Sequence, residues 1–223
     1  TSPLIQYIII LFMFIGGINF TLLYFGAKLK FKKFIENDEF KWFVCAIPFL
    51  LLIIFPLVNQ VSDNNFETSF RHALFQIMSI ITGTGYSTAD FTTWGAFATF
   101  IFFLLMFSGA SAGSTTGGVK IVRIGLLIKN TVLEFKRRLH PNAIIPVQLN
   151  GNGVSPKIIY NLLAFVFFYL FVFVTGSIVL TFIGLDFQDA VGASATAISN
   201  VGPGIGSVGP SSSFAHLPDA AKW

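Results

Sequence analysis

Charge is sparse in this chain. Asp, Glu, Lys and Arg make up 11% of its 223 residues, against about 25% in a soluble domain, which excludes an ordinary water-soluble fold. Cysteine is sparser still. The single Cys45 excludes an internal disulfide, no His/Cys cluster near it has metal-ligand spacing, and beside Trp42 and Phe43 it is expected to pack. Histidine occurs three times, as His72, His140 and His216. The opening apolar run is too long for a signal peptide and no small-residue cleavage site follows it. The net charge of +4 does not imply nucleic acid, because the basic residues are confined to two segments between apolar runs.

What the chain has instead is apolar length. Hydrophobic residues make up 54% of it and Phe occurs 28 times, the composition of an integral membrane protein. Leu4 to Phe25 is an apolar run of 22 residues, about 33 Å as a helix and enough to cross a hydrocarbon core of about 30 Å. Gly16 and Gly17 leave room in it for a neighbouring helix. A loop with Lys28, Lys30, Lys32, Lys33, Glu36, Asp38 and Glu39 follows, read as solvated. Trp42 to Val58 is a second span, with kinks expected at Pro48 and Pro56. Phe66 to Ile81 has helical periodicity through Phe70, Ala73, Leu74, Ile77, Met78 and Ile81 but is too short to span. It predicts a re-entrant helix whose negative C-terminal end faces a cation. Apolar sequence returns from Phe91 to Phe107, and after a small-residue stretch a helix is expected to resume at Val119. Lys129 to Lys157 reads as a second basic loop, Ile158 to Ile183 as a Phe-rich span, and Asp186 to Ile198 as a second re-entrant segment.

The order is span, re-entrant helix with loop, broken span, then span and re-entrant helix with loop again. This internal repeat predicts an all-α membrane protein of helix–pore-loop–helix units, with re-entrant half-helices and one broken helix. Its divisions fall at 1–33, 34–157 and 158–223. The two basic segments, Lys28 to Lys41 and Lys120 to Lys157, hold 12 of the 14 Lys and Arg residues and are therefore expected on the cytoplasmic side. Both re-entrant loops then enter from outside, where Asp63, Glu67, Asp90, Asp186, Asp189 and Asp219 form an acidic entrance that concentrates cations. Asp186 and Asp189 read as a solvated mouth or as helix caps.

Two short stretches sit where the re-entrant helices end: Thr82-Gly83-Thr84-Gly85 within Ile80 to Thr88, and Ser199-Asn200-Val201-Gly202-Pro203-Gly204. Non-helical backbone at membrane depth is tolerated only where protein buries it or water reaches it. Loops of this kind can aim bare carbonyl oxygens at a dehydrated cation, so they predict part of a cation-conducting pore. The third stretch is Ser108-Gly109-Ala110-Ser111-Ala112-Gly113-Ser114-Thr115-Thr116-Gly117-Gly118, eleven consecutive small residues. Each Gly lowers helix stability by about 1 kcal/mol relative to Ala, so a break beside a permeation path is expected. Lys120, just after it, either snorkels to the cytoplasmic interface or forms a barrier or latch below the loop.

On these three stretches the chain resembles the Trk/Ktr/HKT superfamily of potassium transporters, and within it the bacterial TrkH-type membrane subunit. The resemblance covers essentially the whole chain. It implies four helix–pore-loop–helix repeats around one pore in the bacterial inner membrane, of which this chain would be a C-terminal fragment. That fragment would hold the end of the second repeat, all of the third and most of the fourth, without the last inner helix. It implies that Gly85 and Gly202 are filter glycines, which in this family favour potassium over sodium. Carbonyls of Thr82, Gly83, Thr84, Gly85, Asn200, Val201 and Gly202 would bind the transported K⁺, and Ser108 to Gly118 would be the gate. It further implies a homodimer seated on a cytoplasmic ring of nucleotide-binding regulatory subunits (TrkA/KtrA-like). The nucleotide would sit on that partner, no cofactor on this chain, and the basic loops would be the contact surface.

Two motifs point elsewhere. Gly109 to Gly113 satisfies G-x-S-x-G, the pattern of a serine nucleophile, and so suggests a membrane-embedded peptidase or a non-transporting assembly protein. That chemistry needs a base within reach of Ser111, and none of the three histidines is expected at its depth. Gly204 to Gly209 fits G-x-G-x-x-G, but no strand precedes it, so it reads as an outer turn rather than a dinucleotide site.

Overall fold

A computed structural model describes residues 2–62, 65–140 and 145–222, so Asp63 lies outside the described residues. Among them the regular secondary structure is helical apart from one short β-hairpin, Gln148–Leu149 with Asn152–Gly153. In chain order the helices are α1 (Pro3–Gly17), α2 (Phe20–Ala27), α3 (Lys32–Glu36), α4 (Asp38–Val61), α5 (Phe66–Ile81), α6 (Ala96–Ser108), α7 (Ile121–Leu139), α8 (Pro156–Ile183) and α9 (Phe187–Ser199).

α4 and α8 are each long and apolar enough to cross a membrane. α8 faces outward over nearly its whole length: Ile159, Tyr169 and Ser177 are its buried residues, while Phe167, Phe168, Phe171 and Phe182 are exposed. Such a surface is stable against lipid and not against water. Cys45 is exposed on α4, so the expected packing role does not hold. Its place on the helix turns it away from the core face of Phe43, Leu50, Ile54 and Val58.

The core is built around α5. Phe75, Gln76, Ile77, Met78, Ser79, Ile80 and Ile81 are all buried, because α1, α4 and α6 enclose this short helix. Asn65 caps its start, accepting from Thr68 N at 3.2 Å. A helix of 16 residues rises about 24 Å, so it ends inside the protein. α9 repeats the arrangement on a smaller scale against α8 and α6. Ala190, Ala193 and Ala195 are buried there, and Ser194 Oγ donates to Phe173 O at 2.8 Å.

Three expectations change. The run from Leu4 to Phe25 is not one straight span: α1 and α2 are bent by 106° at Ile18 and Asn19. The protein therefore has a second break besides the one at 108–118. The helix after the small-residue stretch begins at Ile121 rather than Val119, because Lys120 holds a φ of 71° that no α-helix admits. Lys129 to Leu139 is the continuation of that helix and not a loop. Its buried Leu126 joins Val147 and Ile159, with Val122 and Leu133 alongside, in a small apolar cluster beneath the hairpin.

α7 docks on α4 through Gly125. A methyl group there would overlap the indole ring of Trp42, which also carries Lys129 Nζ 4.7 Å above it. Gly125→Ala is expected to destabilise the protein by about 1–3 kcal/mol, seen as a lower midpoint in thermal unfolding in detergent.

Candidate functional site

The chain leaving α5 folds back along that helix. Thr84 N and Gly85 N donate to Ser79 O at 3.0 and 3.4 Å, Ser79 Oγ to Tyr86 O at 2.6 Å, and Gln76 Nε2 to Ala89 O at 2.6 Å. These bonds consume N–H groups and the carbonyls of Tyr86 and Ala89. The carbonyl oxygens of Thr82, Gly83, Thr84 and Gly85 accept no hydrogen bond among the described residues. The second loop is alike: Val201 N donates to Thr196 O at 3.2 Å, and the carbonyls of Asn200, Val201 and Gly202 accept no hydrogen bond among the described residues. Tyr169 OH meets Ser199 Oγ at 2.8 Å and fixes the turn from below.

The two loops meet although more than a hundred residues separate them. Gly85 has φ +74° and Gly202 φ +109°, conformations that favour glycine. A Cβ on Gly202 would stand 3.7 Å from Gly85 Cα, and a Cβ on Gly85 would overlap the Val201 carbonyl oxygen. Seven unpaired carbonyls thus lie in two adjoining loops.

Ser108 to Gly118 lies against both of them. A Cβ on Gly117 would overlap Ser199 O and stand 3.4 Å from Asn200 Cβ, and one on Gly83 would stand 3.7 Å from Gly117 N. The loop is held by backbone pairing with the bend of the first span: Ser111 N donates to Gly17 O at 3.1 Å and Phe20 N to Gly113 O at 3.2 Å. Gly17, flagged by sequence as a close-approach position, touches α4, the end of α5 and the loop together; a Cβ there would lie 2.8 Å from Phe43 and 3.0 Å from Thr82. Val119 N and Ile121 N reach back to Phe107 O and Ala110 O at 2.9 and 3.1 Å, closing the loop on itself.

Lys120 does not extend toward an interface. Its ammonium turns back and donates to Thr116 O and, at 2.7 Å, to Thr116 Oγ1. Its positive φ is a strained conformation worth about 1–3 kcal/mol, held by these bonds. Thr116 Oγ1 in turn accepts from Ala110 N at 3.1 Å, and Ser114 Oγ donates to Ser111 O at 2.5 Å. Thr115 lies beside Gly16, whose Cβ would be 3.9 Å from Thr115 Oγ1. Ser111 Oγ is buried and has no hydrogen-bond partner among the described residues, so the G-x-S-x-G pattern carries no base. Gly204 to Gly209 forms a 3₁₀ turn at Gly206–Val208, with no strand before it.

Of the acidic entrance, most members are engaged. Glu67 pairs with Arg71 at 2.8 Å, Asp189 accepts from Ser207 N and Oγ at 2.6 Å, and Asp219 pairs with Lys222 at 3.0 Å. Asp90 caps the 3₁₀ turn Phe91–Trp94, accepting from Thr92 N at 2.9 Å and Thr92 Oγ1 at 2.6 Å. Burial pushes its carboxyl pKa up, but the donors of Thr92 and Ser211 outweigh that and hold it below the ordinary value. Asp186 stands at the N-cap of α9 without a side-chain capping bond. Two residues went unrecognised in the sequence as parts of this site. Asn19 and Glu39 both contact the small-residue loop, and both looked ordinary, one inside an apolar run and one in a charged patch.

Repeated membrane spans with re-entrant helices, whose non-helical ends converge, define a pore-loop membrane protein. The family model for TrkH, a cation transport protein, matches residues 1–223, and the chain belongs to this family. Among its relatives, the Trk system potassium uptake protein TrkI of Halomonas elongata is 33% identical over 215 residues, covering 96% of this chain and 43% of the relative. The Trk system potassium uptake protein TrkH of Salmonella typhimurium is 32% identical over 228 residues, covering 100% and 46%. The crystal structure of the potassium transporter TrkH from Vibrio parahaemolyticus superposes with a TM-score of 0.90 at 32% identity, covering 100% of this chain and 48% of that one. The chain thus spans a little under half the length of these relatives.

Proposed function

We propose that this chain is part of a potassium uptake pore of the bacterial cytoplasmic membrane. Dehydrated K⁺ passes the carbonyl oxygens of Thr82 to Gly85 and of Asn200 to Gly202, which replace its water shell. Ser108 to Gly118 serves as the gate beneath them, latched by Lys120. The observation that carries this reading is the meeting of Gly85 and Gly202, with the carbonyls of Thr82 to Gly85 and Asn200 to Gly202 accepting no hydrogen bond among the described residues. The names of the relatives, all Trk potassium uptake proteins, support the choice of ion.

The reaction is transport, with no covalent step. A peptidase reading gains nothing from Ser111, whose hydroxyl has no base. We extend to this chain the family's homodimer and its nucleotide-binding cytoplasmic subunits. The basic segments Lys28 to Lys33 and Lys129 to Lys157 are the surface such subunits would meet. The test is growth of a potassium-uptake-deficient bacterium on millimolar potassium when the whole transporter containing this chain is expressed. Rescue is expected. Expression in the membrane without rescue refutes transport of K⁺.

A further inference from the structure

The peptide of Ala112 is gripped on both sides. Its N–H donates to Glu39 Oε1 at 2.5 Å, and its C=O accepts from Asn19 Nδ2 at 2.6 Å. Asn19 and Glu39 thus hold one peptide by its two opposite ends. The Glu39 side chain is not explained by its own helix. Asn37 already caps α4, accepting from Phe40 N at 2.8 Å, and Asp38 is occupied by Lys129 at 3.1 Å and by Asn150. Glu39 is nonetheless 6% exposed, and a carboxylate is costly to bury unless it is well hydrogen-bonded. Its backbone donor is a loop peptide more than seventy residues away. Asn19 does double service: its Oδ1 caps α2 by accepting from Thr21 N at 2.8 Å while its amide holds the loop.

The two residues bracket one continuous segment, 19–39, which contains α2, α3 and four of the lysines. That segment closes on Ala112 from both of its ends. Any displacement of it relative to α5 moves the loop.

Resting on the reading of Ser108 to Gly118 as a gate, we infer that Asn19 and Glu39 are positioning residues that clamp the Ala112 peptide and so set the closed position of the gate. Neither touches the ion. They act by making the closed loop more stable than a released one.

The test is single-channel recording of the whole transporter in planar bilayers with potassium and sodium, for the wild type and for Asn19→Ala, Glu39→Ala and Glu39→Gln. Each alanine variant is expected to raise open probability about tenfold, the shift that losing one hydrogen bond of about 1.4 kcal/mol supplies. The potassium-to-sodium permeability ratio should stay at the wild-type value. Glu39→Gln keeps an acceptor of the same shape and should fall between Glu39→Ala and the wild type, and it serves where the alanine variant does not fold. The double variant should exceed neither single by much, because both residues hold one peptide. Unchanged open probability in Asn19→Ala and Glu39→Gln overturns the clamp. A rise accompanied by lost potassium selectivity overturns it too, since it reports collapse of the carbonyl loops. A wild type that conducts no potassium refutes the pore itself, a result distinct from failure of the clamp.

Discussion

Gly85→Ala is expected to lower potassium uptake about a hundredfold, equivalent to raising the barrier by about 2.7 kcal/mol. Two costs add at this position. The backbone φ of +74° disfavours any residue with a Cβ, and the new methyl would overlap the Val201 carbonyl oxygen and stand 3.3 Å from Pro203 Cδ. The two loops would have to part, and the carbonyls of both would lose their alignment. Gly95→Ala is the matched control. Gly95 has φ +99° but nothing within 4 Å of its Cβ position, so it suffers the backbone strain without the collision and should keep most of the uptake. The measurement is initial rubidium uptake by potassium-depleted cells, normalised to the amount of protein in the membrane. Wild-type uptake by Gly85→Ala would mean that close contact of the two loops is irrelevant to conduction.

Gly117→Ala is expected to do the opposite and make the pore leak. The added methyl would overlap Ser199 O and crowd Asn200 Cβ, so the small-residue loop must withdraw from beneath the second carbonyl loop. The Lys120 bonds to Thr116 lie on the same turn and would be strained in the same movement. Unregulated potassium efflux from preloaded vesicles should rise about tenfold, an equilibrium shift of about 1.4 kcal/mol. Efflux at or below the wild-type rate from well-folded protein would remove the loop from any gating role.

The parts of this protein that were legible in the sequence are those decided locally. Phe66 to Ile81 could be read to its ends, because its apolar period and its short length both speak within one segment. The positions of the Thr/Gly and Asn/Val/Gly loops followed from the same logic. The bend at Ile18 and Asn19 was not legible, because composition stays apolar through it and its cause is a partner nearly a hundred residues away. Asn19 was the one local signal, a helix-capping residue inside a hydrophobic run. Glu39 was misplaced for the converse reason. A run of charges reads as solvated, yet one member is buried by a loop that sequence distance conceals. Lys129 to Leu139 went unseen as helix because its charges outweighed an apolar period carried by few residues.

The 106° bend of the first span has a further consequence. It strips Gly17 C=O and Phe20 N–H of helical partners, and the small-residue loop supplies both. Should the loop depart into a dry pore, these groups would be left bare at a depth where each unsatisfied polar group costs several kcal/mol. Water has to arrive as the loop leaves. If the loop is the proposed gate, wetting and conduction would be a single event, and osmotic stress that withdraws water should hold the pore shut.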